Sequence, residues 1–231
     1  MREETSTELR VEGGIQPQMT GKVTRTGMEA NYIVPVRNIL PLLPHALTPS
    51  SFLGLGMISV GAWYHSDAFI DDVSYGEALE VWSSALVRHN GKTVAFTHTL
   101  FNSNHRYADA VSDIFKFTKI DATIEWKEDQ GWHMVSVFKN GEAVMTFRGK
   151  PTLIPASLPL SKPRPCYVLK DGKRYLVMID MKGRQTRLAR TKLEFTKDGP
   201  FSDFGKAINP VLTFSFFYRD YHLQVPLPVE I

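Results

Sequence analysis

The sequence predicts an α+β protein in which antiparallel β structure predominates. Three dipeptides carry that expectation. Asn90-Gly91 lies between SSALVRH and KTVAFTHTL, Asn140-Gly141 between HMVSVFK and EAVMTFR, and Asp171-Gly172 between CYVLK and KRYLVMID. Both central residues of a type I′ turn need positive φ, which Asn, Asp and Gly adopt at least cost. The flanking segments alternate apolar and polar with a period of two, so each dipeptide reads as a hairpin. Thr191 to Phe195 and Val211 to Phe217 read as further strands or buried segments. Tyr107 to Phe115 (YADAVSDIF) is the best helix, with apolar residues near i, i+3, i+4 and i+7. Ala46 to Leu55 reads as loop. Prolines at 151, 155, 159, 163 and 165 forbid regular structure over 151–165 and mark a long crossover inside one domain.

The 231 residues are 43% hydrophobic and 11% aromatic, enough for a sizeable core. Residues 1–20 read as a loose polar arm and residues 21–231 as a single domain. Lys plus Arg exceed Asp plus Glu by 27 to 24, a net charge of +3 that gives no reason to expect a nucleic-acid partner. One cysteine, Cys166, excludes an intramolecular disulfide and a thiolate-rich metal centre, and points to a reducing compartment. The first residues, MREETSTELRVEGG, contain no apolar signal segment, and no run approaches the ~20 apolar residues of a membrane span. The most apolar run, Ile39 to Leu47, is broken by Pro41 and Pro44. A soluble cytoplasmic protein without a membrane partner is expected.

Familiar catalytic patterns are missing. The seven histidines show no i, i+4 pair and no HExxH, so no metal is expected. There is no G-x-S-x-G elbow. Gly54-Leu55-Gly56 lacks the third glycine and the βαβ setting of a dinucleotide loop. Cys166 reads as an incidental buried thiol. Lysine is more informative, because IFKFTKI places Lys116 and Lys119 among apolar and aromatic neighbours. One reading is that both snorkel, with stems on the core and ammonium heads in water. The other is that one amine is desolvated beside a second cation. Both effects lower its pKa and give a free amine able to attack a ketone.

At these residues the chain resembles acetoacetate decarboxylase and its superfamily, discontinuously over residues 25–231. Ile39 to Leu47 (ILPLLPHAL) is similar to the family's segment of an apolar pair, proline, two variable residues and leucine. Tyr75-Gly76-Glu77 resembles its Tyr-x-Glu. Ala108 to Lys119 is similar to its helix-then-lysine signature, and the stretch from Leu193-Glu194-Phe195 to the Phe-rich end resembles its closing strands. The resemblance implies a β-barrel or cone around an apolar pocket, with Lys119 as the Schiff-base lysine, Glu77 as the pocket glutamate and Arg25 as the arginine for the substrate carboxylate. Three features depart from the pattern. The proline before the lysine is Thr118, the second lysine is Ile120, and the Gly-Arg pair is Val111-Ser112. Lys116 substitutes for the missing cation if the backbone brings it near; otherwise desolvation by Phe115, Phe117 and Trp126 must suffice.

The chemistry implied is a cofactor-independent decarboxylation of a β-keto acid, with a small-molecule keto acid as the partner and a homo-oligomer as the assembly. The same iminium supports aldol, dehydration or cyclisation chemistry, and a non-catalytic barrel for an apolar ligand is the third possibility.

Overall fold

The computed structural model describes residues 25–156, 164–196 and 202–231, without the side chains of Arg25, Lys119, Asp121, Arg184 and Gln224. The predicted arm at 1–20, and Pro159 and Pro163 of the predicted crossover, lie outside the described residues.

All three predicted turns close hairpins. Asn90, Asn140 and Asp171 have φ of 47°, 53° and 52°, and the glycine after each is also positive. They join β6 (Ala78–His89) to β7 (Lys92–Asn102), β10 (Trp132–Lys139) to β11 (Glu142–Pro155), and β12 (Arg164–Lys170) to β13 (Lys173–Phe195). A fourth hairpin, at Gln130-Gly131, joins β9 (Thr123–Asp129) to β10 and also takes positive φ at both residues. Glutamine is a poor signal for that turn, so the sequence does not announce it.

The remaining strands are β1 (Arg25–Pro35), β2 (Thr48–Pro49), β3 (Leu55–His65), β4 (Phe69–Ile70), β5 (Val73–Ser74), β8 (Lys119–Asp121), β14 (Leu212–Gln224) and β15 (Val229–Glu230). The helices are α1 (Val36–Ile39), α2 (His105–Phe115) and α3 (Ser202–Ala207). The predicted helix is α2. Asn104 caps it by accepting a hydrogen bond from the Tyr107 amide, and Lys116 ends it in the left-handed conformation, φ 64°.

Hydrogen-bonded neighbours run β12-β7-β6-β3-β1-β14-β13-β11-β10-β9, and β12 also pairs with β13. The path therefore returns to its start through β12, β7, β6, β3, β1, β14 and β13. Most pairings are antiparallel, and the exceptions are β12 with β7 and β8 with β7. This is the predicted cone. Beyond it β13, β11, β10 and β9 continue as an outer flap.

Residues 151–155 correct one expectation. They are not irregular: β11 continues through Pro155 and pairs Pro151 with Ala189 and Pro155 with Arg187 across a register shift. Pairing with β10 stops at Gly149, so beyond it the other edge of β11 is free. A proline there forfeits no ladder hydrogen bond.

Alternation along the central strands creates two interiors. Met28, Ala30, Ile58, Val60, Ala62 and Val81 are fully buried against Val135, Val137 and Phe147 of the flap, and this is the main core. Their neighbours one residue away point into the cone.

Candidate functional site

The inward residues enclose a cavity of about 440 Å³. Its wall is mostly apolar and aromatic, built from Trp63 and Trp82 of the central strands, Phe115 of α2, Phe117, Leu100 of β7 and Phe216 of β14. Two glycines make room for the indoles. Gly27 stands opposite Trp63, and Gly61 opposite Trp82. A Cβ on Gly27 would lie 2.1 Å from the Trp63 ring, and one on Gly61 would lie 2.4 Å from the Trp82 ring. Each indole therefore lies flat on the neighbouring strand and leaves the centre open.

Polar groups interrupt this wall on several strands. Glu29 and Asn31 alternate along β1, and both are buried. The Tyr218 hydroxyl donates to Glu29 Oε2 at 3.2 Å, and the Ser59 hydroxyl donates to Asn31 Oδ1 at 2.6 Å. Burial raises the Glu29 pKa above the ordinary carboxylate value, against the opposing pull of the Arg164 guanidinium and of hydrogen bonds from Asn31 and Tyr218. Arg164, the first residue of β12, lines the same cavity while staying largely exposed, so it stands at the mouth. Glu80 of β6 is a second lining carboxylate, 3.8 Å from Nε2 of the fully buried His65. Cys166 also lines the cavity. Burial pushes its thiol up to about 11, and its sulfur lies 2.9 Å from the Thr97 hydroxyl. It is a protonated wall residue, in keeping with the buried thiol expected from sequence.

The residues singled out by sequence fall in different places. Lys119 opens β8, and its backbone pairs in parallel with Leu100, a wall residue. Arg25 opens β1 opposite His65 and Tyr221. The side chains of both lie outside the description. Lys116, past the end of α2, donates its ammonium to the Asp113 carbonyl, as suits a cation at a helix C-terminus. Glu77 is exposed and lines a separate cleft, of about 760 Å³, on the far side of the sheet. There it accepts a hydrogen bond from Tyr64, which raises the phenol's pKa. In the same cleft His133 Nδ1 lies 2.9 Å from a Glu128 carboxylate oxygen, and the ring stacks on Phe217 at 4.4 Å. Among the described residues no group of histidine, cysteine and carboxylate side chains converges as a metal site would. No described helix is long and apolar enough to cross a membrane.

Sequence reading missed Glu29, Glu80 and Arg164. The signal for Glu29 is present, since Glu29 and Asn31 alternate with Met28, Ala30 and Tyr32. Such a pattern ordinarily means a polar face in water. Only closure of the cone turns that face inward.

No protein-family model matches the sequence, and no curated protein matches it. Solved structures do match the fold. Acetoacetate decarboxylase from Legionella pneumophila subsp. pneumophila str. Philadelphia 1 superposes with a TM-score of 0.76 at 14% identity, over 97% of this chain and 93% of that one. An acetoacetate decarboxylase-like enzyme from Sphingomonas wittichii RW1 gives 0.68 at 12% identity, over 92% of this chain and 93% of that one. The enduracididine biosynthesis enzyme MppR complexed with pyruvate gives 0.66 at 13% identity, over 95% and 93%. The fold is an acetoacetate decarboxylase-like cone.

Proposed function

We propose that the chain is a Schiff-base lyase that decarboxylates a β-keto acid larger than acetoacetate, with Lys119 as the amine. The observation that carries this reading is the mostly apolar cavity whose wall includes Leu100, the backbone partner of Lys119. Cavities of this size hold ligands well beyond a four-carbon acid. An apolar wall disfavours an ammonium ion and so favours the free amine needed for attack.

The chemistry follows from the amine. Lys119 adds to the ketone and water leaves, giving an iminium ion. The bond to the β-carboxylate breaks, CO₂ departs, and its electron pair moves onto nitrogen as an enamine. The enamine carbon takes a proton, and hydrolysis returns the lysine. Glu80, beside His65, is the carboxylate in the cavity suited to move those protons. Glu77 acts on the other face of the sheet, where it holds Tyr64.

A second reading, aldol, dehydratase or cyclase chemistry through the same iminium, is favoured by one position. Where the family has its second lysine this chain has Ile120, which packs against the main core. The structural likeness to MppR complexed with pyruvate is in keeping with it.

Borohydride reduction with a panel of keto acids, read by mass spectrometry, tests both. The expected result is a covalent adduct on Lys119 that disappears in Lys119→Ala. Release of CO₂ selects the first reading over the second. A panel without any adduct overturns both and leaves an apolar-ligand carrier.

A further inference from the structure

We propose that Arg164 and Glu29 together form a receptor for the substrate's carboxylate, so that the cavity takes a monoanionic acid with an aryl or branched-alkyl body. The inference rests on the proposed function for the identity of the reacting group, and it adds the polar end that the apolar wall does not supply.

The geometry sets the roles. Arg164 stands at the mouth of the cavity, where a guanidinium can take a carboxylate through two parallel N–H donors. Glu29 of β1 lines the same cavity and, at 6% exposed, lies deeper in it. Its charged form is disfavoured by burial and favoured by Arg164. A ligand carboxylate on Arg164 neutralises the cation that helps Glu29 ionise, and it adds a second negative charge to the cavity. Both changes favour the protonated carboxyl, which then donates a hydrogen bond to the anion it would otherwise repel. Ligand binding above the Glu29 pKa therefore takes up one proton from solvent.

The groups facing Glu29 fit this description. Tyr218 of β14 donates to it, and Arg164 and Cys166 come from β12. Glu80 of β6 adds like charge across the cavity, Tyr107 of α2 adds a neutral phenol, and β3 presents the uncharged Ser59 and Trp63. Among the described lining residues Arg164 is the one cation.

The test uses 4-phenylbutyrate, which has no ketone and cannot form an iminium, with 4-phenylbutyramide as its uncharged counterpart. Calorimetric titration from about pH 5.5 to 8.5, in buffers of different ionisation enthalpy, reads affinity and proton uptake together. The acid is expected to bind the full-length protein more tightly than the amide. Its affinity should fall as pH rises, with proton uptake on the alkaline side. Arg164→Ala should weaken the acid by about ten- to a hundredfold, as expected for losing a charge-assisted pair, and leave the amide unchanged. Arg164→Lys should fall between. Glu29→Gln should abolish proton uptake and flatten the pH dependence. Thermal melts show whether each variant is folded. A folded Arg164→Ala that binds the acid as the unmodified protein does, or a Glu29→Gln that still takes up the proton, overturns the proposal. Borohydride trapping with the keto-acid panel separates this from the Schiff-base reading: binding of 4-phenylbutyrate while no keto acid gives an adduct breaks that reading alone, and a keto-acid adduct indifferent to Arg164 breaks this one alone.

Discussion

Ile58 and Ser59 are adjacent on one strand and belong to different environments. Ile58 is fully buried between the sheet and the flap, and Ser59 faces the cavity and donates to Asn31. The same contrast separates Met28 from Glu29 and Val81 from Glu80. At these positions one face is filled with apolar side chains, and the other borders an open cavity lined with charge. The filled face holds the cone together. The open face spends stability on polar groups that a merely structural wall would not need, which is the mark of a binding or catalytic surface.

Neighbouring substitutions break this comparison most directly. Ile58→Ala should cost about 3 kcal/mol, from lost transfer energy and an unfilled hole between sheet and flap. Ser59→Ala should cost about 1 kcal/mol, the net worth of one hydrogen bond. Urea titration of the two variants reads the difference directly. Equal losses would mean that the two faces are packed alike. Gly61→Ala comes next, at about 2 kcal/mol, because the added methyl forces the Trp82 ring off its strand and into the cavity. Its separate signature is a change in tryptophan fluorescence together with weakened binding of any cavity ligand.

The strand pattern shows why the filled face was legible in sequence and the open one was not. Three hairpins followed from Asn-Gly and Asp-Gly alone, because those residues adopt positive φ at least cost. Helix α2 followed from its apolar spacing. Glu29 and Glu80 were hidden because a period of two separates faces without saying which face is enclosed. That depends on β12, already joined to β13 by a hairpin, also pairing with β7, where Cys166 meets Ala95 far back in the chain. Arg164 was hidden by its proline-rich surroundings, which signal a connection and say nothing about where it leads. Pro151 and Pro155 misled in the opposite sense, since a free edge accommodates them.

Acid should act on the filled face. Burial lowers the pKa of His98, against the raising effect of Asp203, and burial also lowers that of His133, assisted by Arg219 and opposed by Glu128. His98 lies beside Phe204 of the core, and His133 stacks on Phe217. The unfolded chain then binds more protons than the native one below the ordinary histidine value of 6.5. The stability these neutral rings confer is present above that value and is lost as pH falls toward their depressed native pKa values. Urea midpoints should therefore drop on acidification, and His133→Gln should make that drop shallower. Midpoints unchanged between neutral and mildly acid pH would show that the two rings carry no such linkage.

A rise in pH should act on the open face, with the smallest effect and the opposite sign. Burial raises the native Glu29 pKa above 4.5, so the folded protein holds a proton that the unfolded chain has already released. Stability from this group is greatest at low pH and declines as pH rises from 4.5 through the raised native value. Glu29→Gln keeps the shape of the side chain and an oxygen that can accept from Tyr218, and it removes the ionisation. The variant should be more stable than the unmodified protein by about 1 kcal/mol once pH exceeds the raised native value, with no gain at low pH. Thermal melts at two pH values measure this. A gain that grows with pH identifies a charge kept in the cavity at the expense of stability, as a binding role for Glu29 requires. A uniform loss would show instead that Glu29 is a structural member of the wall, held by Tyr218 in the way Asn31 is held by Ser59.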